Sequence, residues 1–165
     1  MRSVDEWLAD YGSSHRHPVN KILHWICVPP IVLSVLGFLV AIPLPDAVNA
    51  RPPWLNVGTA VAVLALLYYA RLSPALALGM LPIGVLAFLG IEALAQLAWP
   101  LWGSCLAIFV VAWIGQFIGH AIEGQRPSFF KDLQYLLIGP LWLLAFVYRA
   151  AGIPYSARRV EHQRV

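Results

Sequence analysis

Long apolar stretches alternate with short polar or proline-rich breaks along most of this chain. Five stretches stand out, at residues 22–42, 54–70, 75–98, 101–122 and 133–148. A helix needs about 20 apolar residues to cross a hydrocarbon core of ~30 Å. The first, third and fourth stretches meet that length, and the second comes close to it. The pattern predicts a bundle of membrane-spanning helices after a polar, amphipathic lead-in over residues 1–21.

The fifth stretch is different from the others. It is the shortest, and Gly139-Pro140 lies at its middle. Proline inside a helix removes a backbone hydrogen bond and kinks the helix. We therefore expect a fifth apolar helix that is kinked, re-entrant or spanning.

Composition agrees with a lipid environment. Of the 165 residues, 60% are hydrophobic and 12% are charged, whereas soluble domains carry roughly 25% charged residues. The two cysteines lack CxxC spacing, so neither a disulfide framework nor a thiolate metal site is predicted. The sequence predicts an all-α, polytopic integral membrane bundle that forms a single domain over residues 1–165.

The basic residues lie at the ends of the apolar stretches rather than on one continuous face. A continuous basic face is what nucleic-acid binding requires, so we expect no nucleic-acid partner. Cytoplasmic loops attract Lys and Arg. If the first four stretches cross the membrane and the fifth does not, every basic group except Arg51 lies on the same side of the membrane. We predict four transmembrane spans plus the fifth helix, in a bacterial inner membrane, with this basic side facing the cytoplasm.

A first polar cluster lies at the start of the first stretch. Pro18 suits the first turn of a helix, because its missing N–H would be unpaired there anyway. On that helix Asn20 and His24 are four residues apart and share a face. His15 lies just upstream and can fold back over the same end, while His17 is predicted to cap the helix.

A second polar cluster ends the fourth stretch. Gln116, His120 and Glu123 step by four and three residues, so they form one stripe on a helix, and Gly119 leaves room for close approach. The predicted topology brings both clusters to one membrane face. Histidines with a carboxylate and open positions are typical of non-haem iron oxygenases, although imidazole also suits zinc, copper and nickel. Ionisable residues at membrane depth favour a functional site.

These two clusters resemble the motifs of the 2-hydroxy fatty acid dioxygenase family. The resemblance covers nearly the whole chain in order and spacing. His17 stands where the family pattern has asparagine, and Ile122 stands where it has an aromatic residue. The matching positions are His15, Asn20, His24 and Pro29 in the first motif, and Gln116, Gly119, His120, Glu123, Arg126 and Pro127 in the second.

The resemblance implies an Fe(II)-dependent enzyme that uses O2 to shorten a 2-hydroxy fatty acid by one carbon. His15, His24 and His120 are the implied iron ligands and catalytic residues, with Glu123 as a fourth ligand or as a carboxylate that orients an imidazole. The implied substrate-binding residues are Asn20, Gln116, Arg126 and Lys131, of which Arg126 or Lys131 would pair with the substrate carboxylate. The acyl tail would lie between the spans, among membrane lipids.

Two alternatives remain open at the level of the sequence. One is a non-catalytic small membrane protein or transporter with a structural metal site. The other is a zinc-dependent membrane lipid hydrolase. The dioxygenase requires O2 and a metal that changes oxidation state, whereas a zinc hydrolase works without oxygen.

Overall fold

Six helices account for most of the described chain. The computed structural model describes residues 2–44, 52, 54–126 and 134–156. The helices are α1 (Val4–Ser13), α2 (Pro18–Val40), α3 (Val57–Leu72), α4 (Pro74–Ala95), α5 (Leu101–Glu123) and α6 (Tyr135–Ala150). No strand occurs within those ranges, which confirms the all-α prediction for this part of the chain.

Three of the helices are long and apolar enough to cross a membrane. They are α2, α4 and α5, with 23, 22 and 23 residues. The apolar helices α3 and α6 have 16 residues each, fewer than the roughly 20 that a bilayer requires. The count of four spans plus one helix therefore stays a prediction.

The outward-facing side chains of the long helices are apolar. Leu64, Leu78, Leu86 and Val111 are each between 65% and 70% exposed. Extensive apolar exposure of this kind marks an interaction surface rather than a surface suited to water. It agrees with a lipid surrounding.

The start of α2 forms as the sequence predicts. Pro18 occupies the first turn of the helix, and the His17 side chain caps it by accepting a hydrogen bond from the Val19 amide at 3.2 Å. The helix then continues through Pro29 and Pro30 to Val40. Because His17 serves as the cap, its imidazole is committed to the backbone at this helix end.

Small residues bring α2 and α5 close together, and this is the most extensive helix pair in the described chain. A Cβ atom at Gly115 would lie 2.6 Å from the sulfur of Cys27, and one at Gly119 would collide with Asn20 Oδ1. Glycines four residues apart allow membrane helices to approach at the backbone. The predicted role of Gly119 in close approach is confirmed.

The amphipathic lead-in forms α1, which packs against α6. Trp7, Leu8 and Tyr11 are buried on this helix, and they meet a buried face of α6 that includes Ile138 and Trp142. The hydrophobic effect thus attaches a polar N-terminal helix to the apolar bundle. This attachment places the end of α1 above the start of α2, where the first polar cluster lies.

The fifth apolar stretch is helical, and α6 continues through Gly139-Pro140. Gly139 faces Tyr11, whose hydroxyl oxygen would lie 3.0 Å from a Cβ atom built at this glycine. Residue 133, where the predicted stretch begins, lies outside the described residues. The glycine allows α1 to approach α6 closely at this level.

We predict that Gly119→Ala destabilises the bundle, because the added methyl group must displace Asn20 or separate α2 from α5. Overpacking of this kind costs about 1–3 kcal/mol. The measurement is the melting temperature in detergent. Gly84→Ala on α4 is the matched control, because a Cβ atom there meets no atom within 4 Å. Equal melting temperatures for the two variants would contradict the close approach.

Candidate metal centre

Three buried histidines meet where α1, α2 and α5 converge. His15 lies in the turn between α1 and α2, His24 lies in the second turn of α2, and His120 lies in the last turn of α5. One ring nitrogen from each residue lies within 4.8 Å of the others. The structure therefore brings together three of the four residues that the sequence singles out as ligands.

The hydrogen bonds of two of these rings fix their tautomers. His15 Nδ1 lies 2.6 Å from the Tyr11 carbonyl oxygen, and His24 Nδ1 lies 2.9 Å from the Asn20 carbonyl oxygen. A carbonyl only accepts, so each Nδ1 carries the proton and donates it. Each Nε2 is then left with a lone pair, and the two Nε2 atoms face each other at 2.8 Å.

Two lone pairs at this distance repel each other unless a cation lies beside them. A shared proton is disfavoured, because burial lowers the pKa of His15 to about 4. His120 adds a buried Nδ1 that has no hydrogen-bond partner among the described residues. Neutral imidazoles whose second nitrogen donates to a carbonyl are the usual form of metal-bound histidine. The donor set therefore fits a metal ion.

Glu123 joins the end of α5 to the start of α2. Its Oε1 accepts a hydrogen bond from the Arg16 amide at 2.9 Å, while its Oε2 accepts from the His17 amide at 2.7 Å and from Asn20 Nδ2 at 3.2 Å. A carboxylate is favoured at a helix N-terminus. Glu123 is not one of the three clustered ligands, and a ligand role for it stays a prediction.

Asn20 completes this connection. It is fully buried, and its Nδ2 also lies 3.4 Å from the Ser14 carbonyl oxygen. One amide group therefore touches the turn that carries His15 and the carboxylate at the end of α5. The backbone carbonyl of the same residue orients His24. Asn20 thus contacts every segment that supplies a histidine.

An apolar cleft opens beside the histidines, between α2, α5 and α6. Its empty volume, which includes space open to solvent, is about 440 Å³. His24 and His120 line its inner end, and Gln116 lines it one helical turn before His120, with a buried Nε2 that has no hydrogen-bond partner among the described residues. The other lining residues are Tyr11, Val28, Ile31, Val32, Trp113, Tyr135, Leu136, Gly139 and Pro140. The cleft suits an apolar chain that ends in a polar group.

Tyr11 lines the cleft, although the sequence pattern did not single it out as a site residue. Its ring stacks on His15 with centroids 4.2 Å apart and an angle of 14° between the planes. Burial raises the pKa of its phenol, so the hydroxyl stays protonated and can donate. The signal that points to it is its position four residues before His15 at the end of a helix.

The two predicted partners of a substrate carboxylate lie elsewhere. Arg126 is exposed beyond the end of α5, and it is not among the residues that line the cleft. Lys131 lies outside the described residues. Their predicted pairing with a carboxylate stays a prediction.

Comparison with known proteins gives this arrangement a family. Residues 1–151 match the family model described as 2-hydroxy-palmitic acid dioxygenase Mpo1-like. The chain belongs to the Mpo1-like family. This confirms the resemblance that the two histidine motifs indicate.

A curated relative of this Mpo1-like protein comes from Saccharomyces cerevisiae, where it is named 2-hydroxy-palmitic acid dioxygenase MPO1. It is 25% identical over 158 residues, which cover 94% of this chain and 86% of the relative. The family match over residues 1–151 includes both polar clusters and every helix described above. No solved structure matches the chain.

We predict that Glu123→Ala weakens metal binding. The change removes the acceptor of two exposed backbone N–H groups and of the Asn20 amide, and the loss of such a hydrogen bond costs about 0.5–1.5 kcal/mol in stability. Loss of a residue that orients metal ligands lowers metal affinity roughly 10–100-fold. The measurements are the melting temperature and a metal titration.

The control for Glu123→Ala is Glu92→Ala, because Glu92 is an exposed carboxylate whose partner, Gln96, lies on the same helix. We expect this variant to match the wild-type protein in both measurements. An unchanged metal affinity in Glu123→Ala would contradict the role assigned to the carboxylate.

We also predict that the metal-free protein loses stability as the pH falls from about 6.5 towards 4. The folded-state pKa of His15 is about 4, below the ~6.5 of an exposed histidine. Between these values the unfolded chain binds a proton that the folded chain does not, so acid favours unfolding. Melting temperatures from pH 7.5 to 4.5 test this. His15→Asn should show a shallower dependence, and an equally steep one would refute it.

Proposed function

We propose that this protein is an Fe(II)-dependent dioxygenase, embedded in a membrane, that shortens a 2-hydroxy fatty acid by one carbon. The observation that carries the proposal is the pair of Nε2 lone pairs on His15 and His24, which face each other beside His120 at the end of an apolar cleft. A bound metal ion would explain why the histidine lone pairs face each other, and a bound lipid would explain the apolar cleft beside them. The similarity to proteins named as 2-hydroxy-palmitic acid dioxygenases supplies the reaction class.

His15, His24 and His120 are the proposed ligands. Three neutral imidazoles leave open positions on an ion that accepts more than three ligands, which suits iron, although imidazole also binds zinc. When bound, iron would supply the electron transfer to O2 that zinc, which has no redox chemistry, does not supply. The family's dioxygenase activity therefore favours iron.

Glu123 and Asn20 have positioning roles in this proposal. The three hydrogen bonds that Glu123 accepts hold the turn of His15 and the start of α2 against the end of α5. Since those bonds already involve both carboxylate oxygens, we assign Glu123 to ligand placement rather than to coordination. Asn20 Nδ2 is similarly committed to Ser14 and Glu123, so we assign it to the scaffold rather than to the substrate.

The cleft binds the substrate with its acyl chain along the apolar side chains of α2 and α6. Gln116 is the proposed polar partner of the acid head, because its buried Nε2 lines the cleft next to His120 and lacks a protein acceptor. Because Arg126 does not line the cleft, it can bind only a substrate oxygen that extends out of the cleft. A lipid substrate reaches such a cleft sideways from the bilayer, and we place the site at the cytoplasmic face of a bacterial inner membrane.

The overall reaction balances with O2 as the only oxidant. The bond between C1 and C2 breaks, C2 becomes the new carboxyl carbon, and C1 leaves as CO2. One 2-hydroxy acid and one O2 give one shortened acid, one CO2 and one water. The substrate loses four electrons, which O2 accepts, so no external reductant is needed.

The test is metal analysis of the purified protein together with turnover of 2-hydroxypalmitate in air and without oxygen. We expect iron to restore activity to metal-free protein, with equal consumption of O2 and substrate. The product is an acid one carbon shorter. His120→Ala should lose both the metal and the activity. Turnover that needs zinc and no oxygen would instead show a hydrolase, and bound metal without turnover would show a structural site.

A further inference from the structure

Two hydrogen-bond donors line the cleft without a partner. The first is Gln116 Nε2, which is buried on α5. The second is the Tyr11 hydroxyl on α1, which lines the cleft; among the described residues the hydrogen bonds outside the helix at Tyr11 are made by its backbone carbonyl and not by this hydroxyl. Buried polar groups in native proteins are nearly always paired, so each such group requires an explanation. Two of them on one apolar cleft indicate an acceptor that enters the cleft.

We infer that Tyr11 is a substrate-binding residue whose phenol donates a hydrogen bond to an oxygen of the acid head, opposite the donor on Gln116. The inference rests on the proposed function for the identity of the substrate. It adds a recognition residue from a helix outside the two histidine motifs. The head oxygens that accept the bond belong either to the carboxylate or to the 2-hydroxyl.

The surroundings of Tyr11 fix its ring and leave its hydroxyl unbonded. The ring stacks on His15 and lies 5.7 Å from the Trp142 ring, centroid to centroid. The hydroxyl points at Gly139, where the absence of a side chain provides the space. Other lining residues on α2 and α6, such as Val28 and Pro140, are apolar and offer no side-chain acceptor. The protein thus fixes the orientation of the Tyr11 ring, while its hydroxyl makes no hydrogen bond with the described residues.

Three other tyrosine hydroxyls near this core donate hydrogen bonds to protein acceptors. Tyr69 donates to the Leu137 carbonyl oxygen at 2.8 Å, Tyr148 donates to the Ala75 carbonyl oxygen at 3.0 Å, and Tyr135 donates to the Asp10 carboxylate. Each of these has a protein acceptor. Tyr11 is therefore distinguished from them by the missing acceptor as well as by its place beside the histidines.

Neutral donors suit this position chemically. A phenol and an amide add no charge to an apolar cleft, yet both donate to an anionic or hydroxylated head. A hydrocarbon chain offers no acceptor and leaves both donors unpaired, which lowers its affinity. The pair of donors therefore selects for a lipid with an oxygen-rich end and directs that end towards the three histidines.

The experiment compares Tyr11→Phe with wild-type protein, both loaded with iron and kept without oxygen so that no turnover occurs. Phenylalanine keeps the ring that stacks on His15 and removes only the hydroxyl. We expect iron content and melting temperature to stay at wild-type values. The dissociation constant for 2-hydroxypalmitate should rise roughly tenfold, as expected for a buried hydrogen bond. Gln116→Leu should weaken the same binding.

Tyr69→Phe is the matched control, since it also removes a buried tyrosine hydroxyl but lies outside the cleft. It should leave the dissociation constant unchanged. A parallel titration with palmitate identifies the oxygen: equal weakening for both acids assigns the bond to the carboxylate, and weakening only for 2-hydroxypalmitate assigns it to the 2-hydroxyl. Either result supports the inference.

Two outcomes would overturn it. Wild-type affinity in Tyr11→Phe shows that the hydroxyl does not contact the head. Loss of iron from this variant shows that Tyr11 acts through His15 instead. The proposed function fails separately, when wild-type protein binds 2-hydroxypalmitate without oxygen but does not convert it in air. Wild-type protein that does not bind the acid at all refutes both.

Discussion

Two imidazole nitrogens with lone pairs, Nε2 of His15 and Nε2 of His24, face each other at 2.8 Å. Hydrogen bonds at the other ring nitrogen fix the orientation of both rings, because each Nδ1 donates to a backbone carbonyl four residues earlier in the chain. A buried contact between two acceptors is unfavourable unless a cation joins them. The rest of the bundle can be understood as the structure that creates this contact and supplies the third histidine.

Creating it requires three separate segments to meet within a few ångströms at one end of the bundle. Small residues between α2 and α5 allow the two helices to approach, and Glu123 then attaches the end of α5 to the turn that carries His15. Burial of the apolar face of α1 against α6 holds the same turn from the other side. The packing of α1 and the hydrogen bonds of Glu123 therefore both hold the same short segment, residues 14–17.

The apolar cleft gives the site its chemical setting. It lies beside the histidines, between helices whose outer faces are also apolar. Tyr11 and Gln116 each bring to the cleft a donor that makes no hydrogen bond with the described residues. In the proposed function these donors bind the oxygen-bearing end of a lipid, and the apolar walls hold its chain.

The sequence alone was enough to predict helices, because long apolar stretches and their proline breaks are local properties. It also predicted the cap at His17, the close approach at Gly119 and the grouping of three histidines, because the predicted topology brings the start of the first span and the end of the fourth to one face. Only the tertiary structure shows what Glu123 and Tyr11 contact. The carboxylate contacts backbone amides 106 and 107 positions away in the chain. Tyr11 lines the cleft only because α1 packs on α6, and no local pattern encodes either contact.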